Sequence, residues 1–146
     1  VYVDYAHTPE AIEVALKSLK PHILGKLIVI IGAGGERDEG KRPLMGLAAE
    51  NNSDFVIITD DNPRNEDPQL IHQMIKNGIK DKNKVMVIGD RAEAILKAVD
   101  LLGVGDCLLI AGKGHETEQF IGENIFPFDD FEQASLSVSS LDGIER

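Results

Sequence analysis

Asp60-Asp61-Asn62-Pro63-Arg64 sets two carboxylates, a carboxamide and a guanidinium side by side, directly after the β-rich run 55–59. Adjacent like charges at a strand end cost stability unless a partner uses them. Pro63 stiffens the turn, so Asn62 and Arg64 are held in place with little further ordering cost. An Asx-turn whose arginine neutralises the acidic pair would account for the same residues. A second stretch, "GAGGERDEGKR" (32–42), offers backbone N–H groups ahead of a helix start, which suits an anion. Arg37 within it can fork onto a carboxylate or phosphate. The stretch matches neither the P-loop nor G-x-G-x-x-G, and a solvated turn is an equal reading of its glycines. A third, "GKGHE" (112–116), places small residues where a backbone can approach closely, followed by His115 and Glu116. A helix-starting turn with solvated ends is the plainer account of it. Two arginines, an asparagine and a glutamate can together receive anions and cations. A ligand bearing both carboxylate and ammonium groups, an amino acid, fits that set.

These stretches need a scaffold, and the hydrophobic pattern supplies one. Runs 27–32, 55–59, 85–89 and 107–112 are short, β-rich and apolar without alternation. Such runs suit strands buried on both faces of a parallel sheet. Residues 1–9 open with a further strand-like segment. Helical segments alternate with the runs and carry start signals: Thr8-Pro9 ahead of 10–19, Pro43 within 41–52, Asp67-Pro68 ahead of 69–78. Asp90 with Glu93 resembles a capping box opening 91–103, closed by Gly103. Residues 125–128 suit a short edge strand and 129–141 a last helix. No repeat, low-complexity tract or linker interrupts the order. The pattern predicts one α/β domain over 1–146, a doubly wound, Rossmann-like, mainly parallel sheet with helices on both faces. Ligands of such sheets bind beyond the carboxyl ends of the strands. Those ends are 4–9, 32–42, 60–67, 89–91 and 112–118, and they hold nearly every unusual polar residue of the chain.

Composition excludes several classes. A net charge of −10 argues against a nucleic-acid partner. No apolar run approaches the roughly 20 residues of a membrane helix, and no signal peptide is visible. Cytoplasm and no membrane insertion are the expectation. The single cysteine, Cys107, lies in an apolar run and reads as a small core residue. His7, His22, His72 and His115 lack close metal-ligand spacing, so no metal site is expected. His22 and His72 fall in or beside helices as structural residues. There is no G-x-S-x-G elbow. A phospho-acceptor signalling module, using Asp60 or Asp61 with Lys113, is the rival from another class. It lacks a second carboxyl-rich loop beyond Asp4, and no Ser or Thr ends the 85–89 run. The chain starts inside a strand-like segment without a methionine, which suggests a piece of a longer protein.

Taken in order, "DYAHTP" (4–9), "GAGGERDEGKRPLMG" (32–46), "TDDNPR" (59–64) and "AGKGHE" (111–116) resemble the C-terminal domain of the Mur ligases. The resemblance covers essentially the whole chain. Its "DNPR" resembles the signature of the MurE branch, which adds meso-diaminopimelate to the peptidoglycan precursor; lysine-adding relatives replace the arginine. The resemblance implies that Arg37, Asp61, Asn62, Pro63, Arg64, Gly112 and Glu116 form the diaminopimelate site. Arg37 and Arg64 would engage carboxylates, Gly112 would give a backbone contact, and Glu116 would accept from an ammonium group. Asp4 and His7 would face ATP. Diaminopimelate differs from lysine by a distal carboxylate, and burying that group calls for a fixed cationic fork such as Arg64. The implied reaction is ATP-driven amide formation. ATP phosphorylates the D-glutamate carboxylate of UDP-N-acetylmuramoyl-L-alanyl-D-glutamate, and the diaminopimelate amine attacks the product while Mg2+ stabilises the transferring phosphoryl group. The family's P-loop and UDP-sugar site belong to a central and an N-terminal domain, so no catalytic residue is expected in this chain. A Mur-family domain for another amino acid is the nearer alternative, which Arg64 disfavours.

Overall fold

The computed structural model describes residues 1–142; residues 143–146 of the expected domain lie outside the described residues. Five parallel strands form the main sheet: β1 (Tyr2–Asp4), β2 (Leu27–Ile31), β3 (Phe55–Ile58), β4 (Val85–Val87) and β5 (Cys107–Ala111). Their order is β1-β5-β2-β3-β4.

The lack of alternation in the apolar runs has a direct cause. Along β2, Leu27, Val29 and Ile31 enter one core while Ile28 and Ile30 enter another on the opposite face. In β5, Leu109 and Ala111 divide from Leu108 and Ile110 in the same way, and buried Cys107 joins the first core. Helices α1 (Pro9–Leu19), α2 (Lys41–Asn52) and α3 (Pro68–Lys76) cover the first face, where α1 packs on α2 and α2 on α3. Helices α4 (Arg91–Leu101) and α5 (Asp130–Asp142) pack together over the second. Each fully buried Ile, Leu or Val contributes about 1.5–3 kcal/mol, so central strands apolar on both sides need both helical layers.

The helix starts follow the predicted chemistry. Thr8 Oγ1 accepts from Ala11 N–H at 3.2 Å and Asp67 from Gln69 N–H at 2.9 Å, each with proline in the first turn. Asp90 accepts from the N–H groups of Ala92 and Glu93. Two expectations need amendment. Helix α4 ends at Leu101, with Leu102 already extended, so the chain leaves the helix before Gly103. Residues 125–128 do not extend the main sheet: β6 (Glu118–Ile121) and β7 (Asn124–Pro127) pair antiparallel as a hairpin of their own. Gly122, at φ +60°, makes their two-residue turn.

From β2 the chain steps outward through β3 to β4, then returns across the sheet to place β5 between β1 and β2. The loops after β2 and β5 therefore diverge from neighbouring strands. That divergence opens a crevice at the carboxyl edge.

Candidate functional site

The crevice is a cleft of about 360 Å³. Arg37, Asp61, Asn62, Arg64, Gly112 and Glu116 all line it, with Tyr5, His7 and Thr8 at its β1 end. Four loops far apart in sequence are thus brought together as the topology requires. Two candidates do not line it. Pro63 lies behind the wall, and Asp4 ends β1 with its carbonyl accepting from Gly112 N–H at 3.1 Å.

The adjacent carboxylates turn apart. Asp60 meets His72 Nε2 at 2.6 Å and faces a second cavity on the far side of the loop. Asp61 is buried on the cleft side, 3.9 Å from Lys113 Nζ. The two charges have different partners, which removes the difficulty of placing them side by side.

Glycines let two loops meet backbone to backbone. Gly35 donates to the Asn62 carbonyl at 2.7 Å. A Cβ at Gly35 would lie 1.8 Å from the Pro63 oxygen, so no other residue fits without moving the loop. Gly112 has φ +111°, and a Cβ there would stand 2.8 Å from Asp61 Oδ2. Residues 32–35 are therefore packed structure, while 36–40 are exposed.

Arg64 is half-buried and holds φ +54°, in the left-handed region. Its Nη1 donates to the carbonyls of Gly35 at 3.1 Å and Asn62 at 3.3 Å. Its Nε and Nη2 have no hydrogen-bond partner among the described residues. That pair is the side-on edge of a guanidinium, the edge Arg91 uses on Asp130 with both contacts at 2.7 Å. Arg64 lines the cleft, and that unpaired edge is the one a carboxylate takes bidentately. Arg37 is exposed at the cleft and also has no hydrogen-bond partner among the described residues.

Three further cations, each at most 1% exposed, lie under the loops. Arg42 grips Glu66 with Nη1 at 2.5 Å and Nη2 at 2.9 Å and donates to the Gly34 carbonyl. The Glu66 hydrogen bond holds the Arg42 pKa above its ordinary value, and the same bond holds Glu66 below the usual carboxylate range. Arg91 binds Asp130 and the carbonyls of Asp60 and Ala111. Burial works against the Arg91 charge, but the bonds and charge of Asp130 outweigh it and raise its pKa. Lys113 donates to Asn62 Oδ1 at 3.0 Å and the Glu118 carbonyl at 2.6 Å, with Glu116 Oε1 at 3.7 Å. Burial pushes the Lys113 pKa down, with Asp61 and Glu116 opposing.

Sequence reasoning missed these supporting roles. Nothing local separates Arg42 or Arg91 from Arg37, because the partners are 24 and 39 positions away. Lys113 carried one available signal, a long side chain between two glycines after a buried strand. Asn62 also plays a larger part than a ligand contact: its Oδ1 receives both Lys113 and Phe120 N–H, leaving the amide nitrogen for the cleft.

The fold is a doubly wound α/β domain with a strand-end cleft that sets arginines beside carboxylates. The chain belongs to the Mur ligase family, with residues 1–114 matching "Mur ligase, glutamate ligase domain". It is 54% identical over 138 residues to the UDP-N-acetylmuramoyl-L-alanyl-D-glutamate–2,6-diaminopimelate ligase of Coxiella burnetii, covering 94% of this chain and 28% of that protein. The enzyme of the same name from Bradyrhizobium diazoefficiens is 50% identical, over 96% of this chain and 28% of its own length. A solved structure of a ligase of that name superimposes with a TM-score of 0.92 at 43% identity, covering 96% of this chain and 29% of the other. A murein peptide ligase from Psychrobacter arcticus 273-4, 17% identical with a TM-score of 0.65 over 99% of this chain and 28% of its own, shares the fold. The chain thus spans less than a third of the length of the curated relatives it matches.

Proposed function

We propose that residues 1–146 form the amino-acid-receiving domain of an ATP-dependent ligase that joins diaminopimelate, in its meso form, to UDP-N-acetylmuramoyl-L-alanyl-D-glutamate. The observation that carries this reading is the unpaired side-on edge of Arg64 in a cleft that also holds Arg37 and Glu116. Diaminopimelate bears two carboxylates and two ammonium groups. Arg64 takes the distal carboxylate, Arg37 the other, and Glu116 with Asp61 draws an ammonium group. Gly112 keeps the backbone close, and Pro63 and Asn62 fix the loop. The names of the relatives support the choice of amino acid. This domain binds and orients the attacking amine.

ATP is the co-substrate in this reading, met from the β1 end of the cleft by His7 and, at its margin, Asp4. His7 is aligned by a contact between Nδ1 and the Tyr5 carbonyl at 2.8 Å and by an edge-on ring contact with Tyr5. Among the described residues no three or more His, Cys, Asp or Glu side chains are grouped to hold a metal ion. Mg2+, the P-loop and the UDP-sugar site are assigned to the rest of the full-length chain. No described helix is long and apolar enough to cross a membrane, in keeping with a cytoplasmic reaction.

Arg64→Ala in the full-length ligase tests this. Lysine lacks the distal carboxylate, so it leaves the fork desolvated and unpaired, and a site built this way rejects the shorter ligand. The variant should lose about 2–4 kcal/mol in kcat/KM for diaminopimelate, roughly 30- to 1000-fold, while lysine use stays poor. Arg64→Lys should recover little, because an ammonium lacks the planar fork. Unchanged discrimination between the two amino acids in Arg64→Ala would refute the assignment.

A further inference from the structure

The 60–64 loop is held from outside by a strand that is not part of the main sheet. Arg64 donates its N–H to the Phe120 carbonyl at 2.9 Å, and Gly122 donates to the Arg64 carbonyl at 2.5 Å. Arg64 is thereby bridged to Ile121 as though it were one residue of a third hairpin strand. Phe120 N–H reaches Asn62 Oδ1 at 3.0 Å, and buried Gln119 sends its Nε2 to the Asp61 carbonyl at 2.9 Å. Lys113 closes the set by spanning Asn62 and the Glu118 carbonyl.

A lone two-stranded hairpin is marginal in water, and its open edge seeks partners. Here the edge of β6 is filled by the loop that carries the fork, so hairpin and loop order one another. The left-handed backbone of Arg64 fits this account. A non-glycine residue holds that conformation only where its surroundings over-determine it, and two of the bonds above close directly on it.

We propose that the β6–β7 hairpin sets the amino-acid selectivity of the site by fixing Arg64, with Gln119 as a positioning residue. Gln119 does not line the ligand cleft; it faces the cavity on the other side of the loop and acts through the Asp61 carbonyl. The inference rests on the diaminopimelate reading above. A fork displaced by about 1 Å can lose on the order of a hundredfold. Loosening the clasp should therefore weaken use of the incoming amino acid and leave the other two substrates alone.

The test uses the full-length ligase with two variants. Gln119→Met keeps the side chain's length and deletes the donor. Gly122→Ala adds a Cβ with no heavy atom within 4 Å, so it strains only the positive φ of the turn. Gln119→Met should raise KM for diaminopimelate about tenfold and Gly122→Ala about threefold, with KM for ATP and the UDP-linked dipeptide within about twofold of wild type. The preference over lysine narrows in step. An unchanged diaminopimelate KM in both variants overturns the proposal, as does an equal rise in all three KM values. Should Gln119→Met fail to fold, Gly122→Ala decides by the same two outcomes. A wild-type enzyme that takes lysine as readily as diaminopimelate sinks the functional reading instead, and the clasp is then judged on KM for the amino acid actually used.

Discussion

Asp130→Ala should cripple the domain although it lies outside the cleft. Both side chains of the Arg91–Asp130 pair are fully buried, so removing the carboxylate leaves a guanidinium with no counter-charge. Breaking such a pair from one side costs about 3–5 kcal/mol. That is a large part of the 5–15 kcal/mol typical of a whole domain. With a urea slope of about 1–3 kcal/mol per molar, the unfolding midpoint should fall by more than about 1 M. The double variant Arg91→Met/Asp130→Leu separates charge from scaffolding. Replacing a buried pair with apolar residues is often neutral or better. Here Arg91 also serves the carbonyls of Asp60 and Ala111, at the ends of β3 and β5. Each loses its donor at about 1–3 kcal/mol, so the double variant should remain about 2–6 kcal/mol below wild type. Urea denaturation of the 146-residue chain, followed by circular dichroism, reads both. A loss under about 1 kcal/mol for Asp130→Ala, as for an exposed pair, or a double variant as stable as wild type, would refute this reasoning.

Gly35→Ala should force the 32–36 and 60–64 loops apart, because its Cβ would enter the Pro63 carbonyl; a drop of about 1–3 kcal/mol in thermal unfolding is expected, and an unchanged melting temperature would contradict the packing. Acid should destabilise the domain through Glu66, whose pKa Arg42 depresses, and Glu50, whose burial is outweighed by the N–H groups of Asp81 and Lys80. Carboxyls with depressed folded values give stability that is whole above the ordinary glutamate range and vanishes as pH falls through the folded values, so Glu66→Gln and Glu50→Gln should flatten the acid limb of a stability–pH curve. The 146-residue chain should unfold in one cooperative step and bind ATP only at about millimolar Kd or weaker; micromolar binding by calorimetry would move the nucleotide onto this domain.

The main sheet and its helices were legible because each has a local cause: apolar runs without alternation, and Thr, Asp and Pro at helix starts. The cleft was legible through topology, since strand ends collect in one place. Strand β6 was not. Glu118-Gln119-Phe120-Ile121 is short and mixed, and its partners on one side are a loop's backbone and side-chain groups rather than a patterned strand. The division of cations also escaped the sequence. Arg37 and Arg64 stand open at the cleft while Arg42, Arg91 and Lys113 are buried and paired, and burial at that level is decided by partners distant in the chain.

Strand β5 enters the sheet between the first two strands made. During synthesis the flank of β2 that β5 will occupy stays empty while the intervening residues are polymerised, on the order of ten seconds at ribosomal rates. An unpaired Leu-Ile-Val-Ile-Ile edge is an invitation to other nascent chains. Until β5 arrives, β1 has no neighbour at all. Loops 4–9 and 32–42 can already exist, yet the wall formed by Gly112 and Glu116 is absent, as is the β6 edge that holds 60–64. The ligand cleft therefore does not grow gradually along the nascent chain. It appears late, once β5 is slotted between β1 and β2 and the hairpin behind it closes on the 60–64 loop.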